Sequence, residues 1–360
     1  MVQLTLGRPE VRFDLGALSA FYANKRVLIT GAAGSIGSAL STRLAQIGCA
    51  HLAMLDQFDH GLIEIVEHVH RLAPRLQTTE ALCDIRDPGR LEAWVRRIQP
   101  DVVIHSAALK HVHLGERHPV ECVLTNLVGV RNALAAAANA GASHFMLVSS
   151  DKAAAPSCVM GATKRLAELH LAAFHQERST PMRLRSVRFG NVLGSQGSVV
   201  PRFATQIESG GPLEVTHRDM ERFFMSANEA VGLILTVAAH DDPEAGGGGA
   251  YFMDMGDPVS ILELGQRLIR ASGRAIDIEI TGLRPGEKLK EQLFDAYEAA
   301  AATSLPGIYR VTPTADDAYV TSADVAHLES VARTMDDGIV RQRVFAHLDE
   351  RLHREERAAG

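Results

Sequence analysis

A short apolar run, Val27 to Thr30, breaks into Gly31-Ala32-Ala33-Gly34-Ser35-Ile36-Gly37, and helical patterning follows to about Ile47. No other feature of the chain narrows its fold as far. A strand that meets glycine and turns directly into a helix needs a tight turn at Gly31, close backbone approach at Gly34 and helix-on-strand contact at Gly37. The helix start presents unsatisfied backbone N–H groups to whatever lies over the glycines, which suits a pyrophosphate. A second apolar segment, Leu52 to Leu55, ends at Asp56, where a carboxylate can bind both ribose hydroxyls and repel a 2′-phosphate. Gly31, Gly34, Ser35, Ile36, Gly37 and Asp56 are therefore expected to hold NAD rather than NADP. Asp84-Ile85, after the next apolar segment, suits an adenine edge.

Beyond the loop, strands and helices alternate. Strand patterning recurs at Val102 to His105, Phe145 to Ser149 and Leu184 to Phe189, with helices expected from about Val120 to Asn139 and from Val159 to His175. This alternation predicts an α/β fold with a doubly wound parallel sheet. The expected division is an N-terminal extension over 1–24, a dinucleotide-binding domain over 25–190 and a substrate-binding lobe over 191–360, with about 224–270 returning to the main sheet. Gly246 to Gly249 reads as a loop before the buried strand Tyr251 to Met255, and the charged end from Arg341 to Arg357 as a solvated helix.

Composition excludes several classes. A net charge of −6 and a pI near 6.2 speak against a nucleic-acid binder. Cys49, Cys83, Cys122 and Cys158 are dispersed, as free thiols in a reducing compartment would be. There is no basic-then-apolar leader, and the most apolar helical stretch, Ala133 to Ala138, closes at Asn139 and Gly141, so a cytoplasmic chain without a membrane segment is expected. His105, His111, His113 and His118 lack an HExxH pattern or a tight carboxylate partner, so no metal site is expected.

The chemistry concentrates in Ser149-Ser150-Asp151-Lys152 and Met160-Gly161-Ala162-Thr163-Lys164, the first at the carboxyl end of a parallel strand. The pattern resembles the active site of short-chain dehydrogenases, in which a Ser or Thr precedes Tyr-x-x-x-Lys. Here the tyrosine position holds Met160, and a thioether cannot accept a proton. The adjacent Asp151-Lys152 supplies two further proton-transfer groups, which points to an elimination coupled to the redox step.

Four further runs sharpen the resemblance: Ala107-Ala108-Leu109-Lys110-His111-Val112; Arg188 to Ser195 with Gly197 to Pro201; Arg222-Phe223-Phe224-Met225; and Gly282-Leu283-Arg284-Pro285-Gly286-Glu287-Lys288. Together with the active-site runs they resemble the polysaccharide-biosynthesis branch of extended short-chain dehydrogenases, the UDP-N-acetylglucosamine 4,6-dehydratases, from about Leu6 to Phe294. Leu6 to Val11 is similar to the segment that joins a membrane-bound region to the catalytic unit in long members.

The resemblance implies a Rossmann-like sheet with a smaller substrate lobe, and loss of water from a UDP-sugar with hydride moved from C4 to C6 through NAD. It implies cofactor contacts from Ala107, Ala108, Lys110, Asn126, Ser149 and Lys164 beside the glycine loop. It implies substrate contacts from Lys152, Asn191, Val199, Arg202, Arg222, Arg284 and Glu287. Ser150 would bond the C4 oxygen, Asp151 protonate the departing hydroxyl, and Lys152 act as base at C5. The acceptor of the C4 hydroxyl proton stays open among Asp151, neutral Lys164 and water. Members with methionine at position 160 resemble enzymes that leave C5 unchanged. A C5-inverting dehydratase, an epimerase or oxidoreductase without water loss, and a nucleotide-binding regulator without turnover remain the alternatives. A homodimer or higher homo-oligomer is expected, paired through the Ala-rich helix around Ala133 to Ala138 and the helix from Val159 to His175.

Overall fold

The computed structural model describes residues 6–242, 248–313 and 319–352. Residues 1–5 of the expected extension, residues 246–247 of the expected glycine loop and the chain end beyond 352 lie outside those residues. The strands are β1 (Arg26–Thr30), β2 (His51–Asp56), β3 (Thr78–Leu82), β4 (Val102–His105), β5 (His144–Val148), β6 (Arg183–Val187), β7 (Asn191–Val192), β8 (Leu213–Val215), β9 (Glu221–Arg222), β10 (Phe224–Met225), β11 (Gly249–Met253), β12 (Val259–Ser260), β13 (Ile278–Ile280), β14 (Glu298–Ala302) and β15 (Ile308–Pro313).

One nine-stranded sheet runs β14-β15-β11-β6-β5-β4-β1-β2-β3. From β11 to β3 every neighbouring pair is parallel, while β15 and β14 add an antiparallel edge. The fold is thus a Rossmann-like α/β fold, with a mixed rather than purely parallel sheet. That edge comes from the region after Phe294, where no motif matched. The central strands are buried on both faces, so β1, β4 and β5 are apolar runs without alternation. Leu28, Val103, Phe145 and Leu147 face one core, and Val27, Ile29, Ile104 and Met146 the other. A separate small core of Val200, Phe203, Leu213, Val215, Phe224 and Leu264 lies beside the short strands β8 to β10.

The helix Val159–Arg178 is buried around most of its circumference from Val159 to Phe174. The cover comes from the chain's own C-terminal helices, Ser322–Thr334 and Asp337–Leu352, which also pack on Pro119–Asn139. Val325, Leu328, Val340, Val344 and Leu348 join the same core as Leu127, Leu134 and Leu166. Two expectations change. The C-terminal helix is amphipathic and docked rather than solvated, because Val340, Val344 and Leu348 recur at i, i+4 and i+8 among its charges. The two helices expected to pair with a second subunit are already occupied within one chain. Among the described helices, Pro119–Asn139 alone is long and apolar enough to cross a membrane, and most of it is buried in this core.

Candidate active site

Two adjoining cavities, of about 510 Å³ and about 230 Å³, open along the carboxyl edge of the parallel strands. Gly31, Gly34, Ser106, Ala108, Leu109 and Gln196 line both.

The glycine loop forms the floor between them. Gly31 has φ of +72°, and a Cβ there would lie 2.5 Å from the Ala107 backbone nitrogen. At Gly37 a Cβ would lie 2.0 Å from the Gly31 carbonyl oxygen. Neither position tolerates a side chain, because strand, turn and helix touch through bare backbone there. Gly34 caps the helix Ser35–Ile47 without covering its N-terminus, leaving N–H groups directed at the larger cavity. Asp56 lines the smaller one. Its carboxylate accepts from the Ala33 N–H at 2.9 Å and the Phe58 N–H at 3.0 Å, which fixes it at the β2 end.

Ala107, Ala108, Asp84 and Ile85 also line the smaller cavity. Asp84 is held by Arg86; burial raises its proton affinity, but bonds from the Arg86 side chain and N–H outweigh this and hold its carboxyl below the usual range. Asn126 lines neither cavity. Its amide pins the Leu109 backbone, accepting from the N–H at 2.8 Å and donating to the carbonyl at 3.0 Å. Sequence cannot tell such a brace from a ligand contact.

Ser149, Ser150, Lys152, Met160 and Lys164 line the larger cavity. Ser149 donates to Glu168 at 2.5 Å, so its hydroxyl is committed to the protein. Ser150 Oγ and Lys152 Nζ both donate to Asp151 Oδ1 at 2.9 Å. Asp151, expected to face the substrate, lines neither cavity: it is fully buried behind Ser150 and Lys152, which it organises, and its Oδ2 has no partner. Burial lowers the proton affinity of Lys152, yet Asp151 and Glu291 more than offset it and the net shift is upward. Lys164 donates to the Val148 carbonyl at 2.8 Å, and burial pulls its pKa down to about 8 although Glu168 opposes this. Met160 packs with Cys122, Cys158 and Val159 and brings no proton-transfer group.

Of the expected substrate residues, Asn191, Val199, Arg222 and Glu287 line the larger cavity. Arg222 spends much of its fork on backbone, donating to the carbonyls of Glu221, Lys288 and Leu289. It braces the 288–291 segment as well as facing the cavity. Arg202 and Arg284 line neither cavity: Arg202 pairs with Glu214 on β8, and the Arg284 N–H bonds Glu287 at 3.1 Å. An arginine's reach exceeds what a sequence run can orient.

Sequence reasoning missed Glu291, Ser106 and Gln196, and gave no site role to Ser195, Gly197 and Ser198 although they lie in the runs that carry the resemblance. Glu291 lies three residues beyond the run read as far as Lys288. The 195–198 segment reaches the cofactor side, its Gln196 N–H bonding Ser35 at 3.1 Å and its Gln196 carbonyl accepting from Lys110 at 2.7 Å. Among the described residues no group of histidines, cysteines and carboxylates could hold a metal ion.

The family model described as "Polysaccharide biosynthesis protein" matches residues 27–313, covering the sheet and every cavity wall. The chain belongs to that family. Among its relatives, the "Capsular polysaccharide biosynthesis protein CapD" of Staphylococcus aureus is 39% identical over 86% of this chain and 51% of its own length. The chain spans about half the length of the first curated family relatives it matches. A "UDP-glucose 4-epimerase" of Rickettsia akari is 32% identical over 81% of this chain and 83% of its own. The solved structure of Pen from Bacillus thuringiensis superposes with a TM-score of 0.73 at 30% identity, over 82% of this chain and 88% of its own.

Proposed function

We propose that this family member is an NAD-dependent nucleotide-sugar 4,6-dehydratase that converts UDP-N-acetylglucosamine to the 4-keto-6-deoxy sugar with C5 configuration retained. The observation that carries the reading is the Ser150–Asp151–Lys152 chain, in which one oxygen of the buried Asp151 carboxylate accepts from the two cavity-lining side chains, Ser150 and Lys152, beside Met160 where a proton-transferring tyrosine would otherwise stand.

The cradle fits NAD on its own features: a helix N-terminus kept open by Gly34, glycines that a Cβ would fill, and Asp56 at the ribose position. When bound, NAD supplies a nicotinamide that takes hydride from sugar C4 and returns it to C6. Lys164, held on the Val148 carbonyl, is placed to orient the nicotinamide ribose. Ser150 bonds the C4 oxygen, and Asp151 with Lys152 moves the protons of water loss. In this reading Asn191, Val199, Arg222 and Glu287, which line the larger cavity, hold the sugar and its diphosphate.

An epimerase is the second reading, favoured by the Rickettsia akari relative. Epimerisation needs no acid at C6, so the buried Asp151–Lys152 pair argues for the dehydratase. The test is incubation with UDP-N-acetylglucosamine deuterated at C4, without added cofactor or with catalytic NAD. The expected product has lost water, carries deuterium at C6, and shows the original D configuration in its early proton NMR spectrum. An isomer of unchanged mass would establish the epimerase. An initial L product would mean that Met160 does not set the stereochemistry.

A further inference from the structure

The segment that precedes the helix Leu15–Tyr22 is anchored at its two ends in different cores. Leu6 is buried with Val200, Phe203 and Phe224 in the small core beside β8 to β10. Phe13 packs instead on the core of the nine-stranded sheet, over Gly232, where a Cβ would lie 2.1 Å from the Phe13 ring. Between these anchors the Arg8 side chain donates to three separate parts of the chain: the Glu229 carboxylate at 2.5 Å, the Met255 carbonyl at 2.7 Å and the Phe224 carbonyl of β10 at 3.4 Å. Glu229 is fully buried in the first turn of the helix Ala227–Ala239, and it accepts from the Val11 N–H as well at 2.8 Å. The bond to β10 reaches the cavity wall in one step. β10 pairs with β7, Phe224 opposite Asn191 and Met225 opposite Val192. The Asn191 and Leu193 N–H groups donate to the Phe223 and Met225 carbonyls, and the Phe224 carbonyl between them turns to Arg8. At Gly190 a Cβ would lie 2.5 Å from the Phe223 carbonyl oxygen, so the two strands touch through bare backbone and move together. Asn191, Val192 and Arg222 line the larger cavity.

We propose that Arg8 is a positioning residue for the sugar-nucleotide subsite: it ties β10 to the main sheet and to the helix Ala227–Ala239, and through β10 and β7 it holds Asn191 and Arg222 at a fixed distance from the glycine loop, as a substrate diphosphate reaching between them requires. This rests on the nucleotide-sugar reading and not on the elimination of water. Arg8 bonds none of Ser150, Lys152 and Lys164, so it sets how tightly the substrate is held rather than how fast it reacts. Only an arginine fork serves all three acceptors. A lysine ammonium keeps the charge that the buried Glu229 needs but not the geometry that joins Met255 and Phe224. No local pattern in the sequence marks the role, because the three partners lie 216 to 247 residues further along the chain.

The test is R8K in the full chain, read first by binding. Calorimetric titration with UDP should show an affinity about tenfold weaker than wild type, with NAD affinity unchanged within about twofold. In turnover with UDP-N-acetylglucosamine, KM should rise by about the same factor while kcat stays within about twofold of wild type. Hydrogen exchange of the ligand-free protein should quicken in the peptide over residues 189–194 and not in β1, β4 or β5, which separates a local release from general loosening. UDP affinity within about twofold of wild type overturns the proposal, and so does a parallel loss of UDP and NAD affinity. If R8K does not fold, R8M combined with E229Q removes the fork without stranding a buried charge, and the same titrations decide with the same outcomes. A wild-type protein that binds UDP but releases no water from the sugar sinks the dehydratase reading alone, because the R8K titration still decides the role of Arg8. A wild-type protein that binds NAD but no UDP sinks the nucleotide-sugar reading, and the role of Arg8 with it.

Discussion

Lys164 shows at the scale of one residue how environment remakes a side chain. Its sequence position marks it as the lysine of the active-site helix, but its proton affinity follows from burial, which outweighs the opposing Glu168 charge and brings the pKa from 10.5 to about 8. The unfolded chain therefore binds more protons than the folded one between those values, and stability linked to this group rises with pH. The contribution is complete above about 10.5 and is lost as pH falls through about 8. Lys164→Met keeps the length, removes the buried charge and should abolish turnover. Its stability advantage over wild type should be largest near pH 7 and shrink by about 1.4 kcal/mol per pH unit across the window. Urea denaturation of both proteins at pH 7 and pH 10 measures it; a gap independent of pH would refute the assignment. Gly31, Gly37 and Asp56 were legible beforehand because each answers a local demand, a turn, a contact or a strand end. Arg202, Arg284 and Asn126 were not, because long or amide side chains choose partners from parts of the chain that only folding brings near.

Among elements, the helix Val159–Arg178 adds a buried charge network to its apolar packing. Arg188, following β6, is fully buried and forms paired bonds to Glu168 on that helix and to Glu298 at the start of β14. Burial opposes the Glu298 charge, but Arg188 bonds outweigh it and bring its pKa to about 2. Glu168 also receives the Ser149 hydroxyl, so the network ties the segment after β5 to the antiparallel edge. Arg188→Met should cost about 3 kcal/mol or more, since it strands two buried carboxylates with only Arg165 between them. Thermal or urea unfolding checks this, and a loss below about 1 kcal/mol would show that Arg165 suffices. The helix itself was readable from sequence; its dependence on Glu298, 110 residues beyond Arg188, was not.

For the whole molecule, the main surprise is the C-terminal helix pair lying on the face where pairing with a second subunit was expected. Val325 and Leu328 from one helix, and Val344 and Leu348 from the other, extend the core around Leu127, Leu134 and Leu166. Replacing Leu328 and Val344 together by Asp should lower the melting temperature and expose an apolar face that self-associates. Sedimentation and calorimetry measure both effects. A stable double variant with unchanged sedimentation would mean that the pair contributes little to the core.

The sequence by itself determined the alternating α/β order, the glycine cradle with its carboxylate, and the Ser150-Asp151-Lys152 cluster at a strand end, because each is written within a few neighbouring residues. Only the tertiary structure decided the partners of that cluster, the antiparallel edge and the covered helix face. Those depend on which distant groups exclude water and face one another: Glu291 on Lys152, Glu298 on Arg188, and Val344 on the active-site helix's side of the core.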